Sequence, residues 1–130
     1  MEATTIRPKL DLERLKRRFK GEVITPEGER YGAARPLWNA IPDRRPAVIA
    51  QPRDTRDVAV AVLHARDSGL ELAVRGGGHS IPGHSMSDGG MTIDLSAMNA
   101  VEVNPAAGEP PSAAGRCSPI WRPPPPRTSW

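Results

Sequence analysis

The chain has 130 residues, 38% of them hydrophobic and 25% charged, the size and balance of one globular domain. Its 18 Lys and Arg against 15 Asp and Glu leave a formal net charge of +3, and up to residue 104 the two signs nearly cancel, which excludes the concentrated basic face of a general nucleic-acid binder. A single cysteine, Cys117, excludes an internal disulfide framework and a cysteine-paired zinc site.

No stretch reads as a membrane span, because the longest apolar run, Val58 to Leu63, is far short of the ~20 residues required. Met1-Glu2 opens no apolar signal core, and Arg17-Arg18 is followed by Lys20, Gly21 and Glu22 where an export signal needs an apolar run. The expected compartment is therefore cytoplasmic.

Leu10, Leu12, Leu15 and Phe19 are spaced for one side of a short helix, with Arg14, Lys16, Arg17, Arg18 and Lys20 around it. That basic surface reads as a solvated outer face more readily than as an anion-contacting one. Gly21 is expected to stop the helix. A loop with Pro26 and Gly28 follows, then a short helix around Tyr31 to Asn39. Pro46 to Ala50 reads as a buried strand closed by Gln51-Pro52. Asp54 or Thr55 then caps a helix with apolar positions Val58, Val62, Leu63 and Ala65, which Gly69 ends. Leu70 to Val74 is a second strand, so the segment forms a βαβ unit with its two strands parallel. Met91 to Leu95 and Ala100 to Val103 are two further short strands joined through 96–99. The predicted architecture is α+β, a small sheet with helices against one side and no internal repeat.

The segment Arg75-Gly76-Gly77-Gly78-His79-Ser80 leaves the end of the second strand, where α/β proteins place ligands. Its glycines remove every Cβ that would hold a ligand off the backbone, and they allow the positive φ at which N–H groups converge on an anion. Arg75 adds a positive charge and Ser80 a hydroxyl donor. With Pro82-Gly83 and Asp88-Gly89-Gly90, residues 75 to 90 make one long loop, the length at which loops carry function. No Gly-Lys-Ser/Thr follows, so it is no P-loop, and no helix starts after the glycines, so it is no Rossmann fingerprint. A diphosphate is the natural guest, and a flexible turn between two strands is the alternative.

A neutral imidazole at His79 is placed to meet the organic group attached to bound phosphates, as a nucleophile or as a hydrogen-bonding brace of the loop. His79 and His84 lack the acidic or cysteine partners that a metal site needs, so no metal is expected. His64 reads as a surface or packing residue, and Asp88 and Asp94 as turn caps.

These residues resemble the N-terminal part of the FAD-linked oxidases of the vanillyl-alcohol oxidase and berberine bridge enzyme type, with their PCMH-type FAD-binding domain. The resemblance runs through 21–26, Tyr31, Ala34-Arg35, Trp38-Asn39, 45–47, Asp57-Val58, Ala65-Arg66, 74–80, Asp88-Gly89-Gly90 and 93–96. It implies FAD as cofactor, with Arg75, Gly76, Gly77, Gly78 and His79 on the pyrophosphate and Ser80, Gly83 and Ser85 in the same cavity. It also implies that His79 matches the histidine bonded covalently to the flavin 8α-methyl in many members. The cofactor carries the hydride chemistry while the protein positions and tunes it. By the same likeness, 1–20 is an N-terminal helical arm and 21–104 an incomplete FAD-binding domain. The family's later strands, its substrate domain and its catalytic bases have no counterpart here, so no catalytic residue is assigned. The expected function is FAD binding within a flavin-dependent oxidase of an unknown small organic substrate. A non-catalytic flavin module and an inactive truncated product are the alternatives.

The resemblance is not carried into residues 105–130. They hold eight of the 15 prolines and two of the three tryptophans, a composition that predicts a disordered tail. Within it, Arg122 to Arg127 fits a polyproline II ligand. Read two nucleotides later, GC-rich codons for this tail are able to encode a Gly-Gly turn and an amphipathic helix like the family's next segment. The tail is therefore expected to arise from a frameshift between about Pro105 and Ala113.

Overall fold

The computed structural model describes residues 10–100. The strand expected at 100–103 falls, but for its first residue, outside the described residues, as do the tail, its proline run and Cys117.

Helix α1 spans Leu12–Arg18 and begins where Asp11 Oδ1 accepts the Arg14 N–H at 2.9 Å. Lys16, Arg17 and Arg18 fill its last turn, beside the negative end of the helix dipole. Leu15 and Phe19 are buried while the basic residues stay in water. The helix ends in an extended Phe19, not at Gly21. Gly21 serves another need: a Cβ there would stand 1.9 Å from the Gln51 carbonyl oxygen, so only glycine lets the backbones approach.

Strand β1 (Glu22–Ile24) was not legible in the sequence, since three residues carry no periodicity. The short α2 covers Tyr31–Ala34, less than the helix expected to Asn39, and Pro36 blocks its continuation. Strand β2 is Val48–Gln51, α3 is Thr55–Asp67, β3 is Leu72–Arg75 and β4 is Met91–Asp94. A single 3₁₀ turn, Leu95–Ala97, follows β4.

The sheet has the order β1-β2-β4-β3, with β1 antiparallel to β2 and the other pairings parallel. The strands of the βαβ unit thus run parallel as expected, but they are not neighbours: β4 lies between them and is buried along its whole length. That central position explains why the polar Thr92 and Asp94 are buried along with Met91 and Ile93. Helices α1 and α3 cover one face, where Leu15, Phe19, Ala61 and Ala65 meet Val48, Ala50, Met91 and Ile93. The opposite face holds Ile24, Leu37, Ile49 and Met86 with Tyr31 and Ala34 of α2. The helices are therefore not all on one side, because α2 and the loops close the second face.

Asp54 caps α3, its carboxylate accepting the Asp57 N–H at 2.9 Å. Gly69 ends it with φ 62°, Leu70 N–H reaching Ala65 O at 2.9 Å and Gly69 N–H reaching Arg66 O at 3.1 Å. Its buried side is Asp57, Ala61, His64 and Ala65, whereas Val62 and Leu63 are exposed. The helix is rotated relative to its apolar pattern because Asp57 carries essential hydrogen bonds. Its two carboxylate oxygens accept the backbone N–H groups of Lys20 at 2.9 Å and Arg53 at 3.0 Å, tying the end of α1 to the start of α3. His64 is a packing residue, buried between α1 and α3. Burial, assisted by Arg14, pushes its pKa below the ordinary histidine value.

Asp57→Ala leaves two backbone donors without their acceptor. The urea unfolding free energy should fall by about 2–3 kcal/mol, and an unchanged midpoint would contradict the role assigned to this carboxylate.

Candidate functional site

Because β2, β4 and β3 are parallel, their C-terminal ends share one edge of the sheet. Their last residues are Gln51, Asp94 and Arg75. Side chains alternate along a strand, and the register Arg75↔Asp94 puts this pair on the face opposite the two long helices. Asp94 Oδ2 accepts from Arg75 Nη2 at 2.5 Å and from Gln51 Nε2 at 2.8 Å. The side chains of Arg75 and Asp94 are only 11% and 1% exposed. Arg75 Nη1 also reaches the Pro36 carbonyl at 3.3 Å. Burial raises the Asp94 pKa, but the Arg75 and Gln51 hydrogen bonds outweigh it and hold the carboxyl below its usual range.

This corrects the expectation for Arg75: its guanidinium is turned back under the strand ends and is not a free charge beside the glycines. What Arg75 offers the loop is a fixed starting point. Asp94 does cap a turn, its Oδ1 accepting the Ser96 N–H at 3.1 Å. Asp88 instead clamps two loops, its Oδ1 accepting the Arg45 N–H at 3.0 Å while Gly89 N–H returns to Arg45 O at 2.9 Å.

Of the three consecutive glycines, Gly78 adopts the left-handed backbone (φ 71°) and is buried. Around Gly76 a Cβ would meet nothing within 4 Å, so the loop is open there. Gly83 also has positive φ (80°), and its Cβ would lie 2.7 Å from Pro42 Cβ. It is therefore needed for close packing of the loop. Ser80 Oγ accepts the His84 N–H at 3.1 Å, which leaves the hydroxyl hydrogen available to a ligand. Ser85 is half-buried in the same turn, and His79 and His84 are exposed. Among the described residues no three His, Cys, Asp or Glu side chains gather as metal ligands. No helix there is long and apolar enough to cross a membrane.

A second segment, 37–45, braces the loop. Trp38 N–H donates to Gly78 O at 3.3 Å, Asn39 Nδ2 to Ile81 O at 2.8 Å and Arg44 Nη2 to Pro82 O at 3.4 Å. The Trp38 indole lies with its centroid 5.6 Å from the His79 ring, tilted 42°. Neither this contact nor the Gln51–Asp94–Arg75 cluster was foreseen. The one available signal was two short strands closing on opposite charges, Arg75 and Asp94.

A glycine-rich loop leaving the C-terminal end of a parallel strand lies where open α/β sheets bind their ligands. The comparisons narrow that reading. The FAD binding domain family matches residues 46–114, more than half of the chain, and the chain belongs to that family. It is 39% identical over 88 residues to (R)-6-hydroxynicotine oxidase of Paenarthrobacter nicotinovorans, covering 68% of this chain and 19% of that protein. The structure of glucooligosaccharide oxidase from Acremonium strictum aligns with a TM-score of 0.66 at 30% identity, over 72% of this chain and 20% of that one. The structure of berberine-bridge-enzyme-like 1 of Physcomitrella patens aligns with a TM-score of 0.69 at 26% identity, over 75% of this chain and 21% of that one. The chain thus spans about a fifth of the length of these relatives and is part of a PCMH-type FAD-binding domain. Its cofactor is FAD.

The Asp94 pair sets an acid limit on stability. A carboxyl whose folded pKa lies below its unfolded value of about 3.9 stabilises the fold above that value, and the contribution disappears as pH falls through the folded pKa. Asp94→Asn should lower stability at neutral pH and flatten its decline below pH ~4. Urea titrations from pH 7 to 2 read this, and parallel curves for the two proteins would contradict it.

Proposed function

We propose that the loop 75–85 holds FAD as part of a flavin-dependent oxidoreductase, and that His79 bonds covalently to the flavin. The carrying observation is the exposed His79 imidazole directly after the buried, left-handed Gly78 at the end of β3. The residues fit the cofactor's chemistry. The open surface at Gly76 admits a diphosphate to the backbone, and left-handed Gly78 turns the chain so that backbone N–H groups converge on it. In this reading the backbone of Arg75 to His79 holds the pyrophosphate, and Ser80, Gly83 and Ser85 border the same site. Arg75 contributes rigidity, since its charge is committed to Asp94.

FAD supplies the redox chemistry by accepting a hydride equivalent from the substrate. The chain's own part is to bind and orient it. Attachment would join the His79 ring nitrogen to the flavin 8α carbon in place of one N–H and one C–H bond, the two protons and two electrons released passing to dioxygen as hydrogen peroxide. The glucooligosaccharide oxidase structure is described as carrying a 6-S-cysteinyl, 8α-N1-histidyl FAD, which supports the histidine half of this reading. Cys117 lies outside the described residues and is given no part in it. The substrate is proposed only as a small organic molecule, because the chain covers about a fifth of its relatives.

When the full chain is incubated with FAD, denatured and run on an acid-washed gel, flavin fluorescence should migrate with the polypeptide. His79→Ala should abolish that band and keep dissociable flavin in the native protein. A dark wild-type band would overturn the covalent assignment.

A further inference from the structure

Trp38 is a large aromatic side chain in contact with the His79 ring. It is 70% exposed, although an indole in water forfeits an apolar surface that folding normally hides. Its position is nevertheless fixed at three points. Its own N–H is bonded to Gly78 O at 3.3 Å, the next residue, Asn39, holds Ile81 O at 2.8 Å, and the preceding residue, Leu37, is buried against Ile49 and Met86. From this anchored backbone the indole meets the imidazole of His79 (centroids 5.6 Å, tilt 42°). This tilted aromatic geometry has an energetic preference of its own. Such a contact favours χ angles of His79 that keep the ring against the indole.

We infer that Trp38 is a positioning residue for covalent flavin attachment, holding the His79 imidazole in the orientation from which its nitrogen attacks the flavin 8α carbon. The inference rests on the proposed role of His79. It goes beyond that role by assigning the rate of bond formation to a residue 41 positions upstream. A ring held against the indole has fewer rotamers open to it, and only one orientation of the imidazole points at a given atom. The indole removes the unproductive ones before the cofactor arrives. Trp38 needs no proton and no charge for this work; it needs a flat face. Ile81, 72% exposed, offers apolar bulk but no ring plane, so it does not duplicate the function.

The test is the rate at which added FAD becomes resistant to denaturation on the full chain, with His79→Ala as the blank. Trp38→Ala should slow attachment about three- to ten-fold, the factor that loss of one aromatic pair carries, while dissociable FAD still binds. Trp38→Phe should restore most of the rate, and Trp38→Leu, with apolar bulk but no ring, should not. Attachment at the wild-type rate in the Ala or Leu variant, with His79→Ala still blank, overturns the role of Trp38 alone. If the Ala variant misfolds, the Phe and Leu pair decides, since both keep an apolar side chain of substantial size. Absence of covalent flavin in the unsubstituted chain overturns the reading of His79 and this one with it.

Discussion

The buried ion pair between Arg75 and Asp94 joins the ends of β3 and β4 at the point where the glycine loop begins. Breaking such a pair by removing one partner leaves an uncompensated buried charge, at a cost of about 3–5 kcal/mol. Asp94 has every oxygen committed, to Arg75 and Gln51 on one side and to the Ser96 N–H on the other. Three parallel strand ends are thereby locked to one carboxylate. The loop that leaves Arg75 starts from a rigid base, which a flexible glycine run requires if its N–H groups are to meet a ligand in one arrangement.

From that base the loop is shaped by close approaches together with side-chain bonds such as Ser80 Oγ to the His84 N–H. Gly83 fits under Pro42, and Gly90 fits against Glu71 O, which a Cβ would approach to 2.2 Å. The Asp88–Arg45 exchange and the Trp38–Gly78 bond add a second wall from 37–45. The glycines therefore divide their work. Gly76 stands where the loop is open, whereas Gly83 and Gly90 let the chain pack closely and Gly78 supplies the left-handed turn. The same wall carries the indole to His79, so the packing of the second face of the sheet and the chemistry of the loop are one construction.

Much of this was legible in the residues, and the exceptions have physical causes. The helix at 55–67 announced itself through Asp54 and Gly69, because capping is local chemistry. Its rotation was hidden, because Asp57 is held by the distant Lys20 and Arg53 N–H groups and a carboxylate in a core face breaks the apolar pattern. The parallel sense of β2 and β3 was readable from the intervening helix, but the insertion of β4 between them was not, since strand order depends on long-range pairing. The glycine loop and His79 stood out by composition alone. The pairing of Arg75 was not legible, because its partner sits 19 residues on and is reached only through strand register. Trp38 was seen only as part of the family likeness, its proximity to His79 being a product of the fold.

The central claim is that His79 is where the chain takes hold of FAD. Mass spectrometry of the tryptic peptide that begins after Arg75 tests it most directly, because that peptide contains both His79 and His84. The account predicts a mass gain of one FAD less two hydrogens, with fragmentation placing it on His79. An adduct on His84, or an unmodified peptide from flavin-saturated protein, would contradict it.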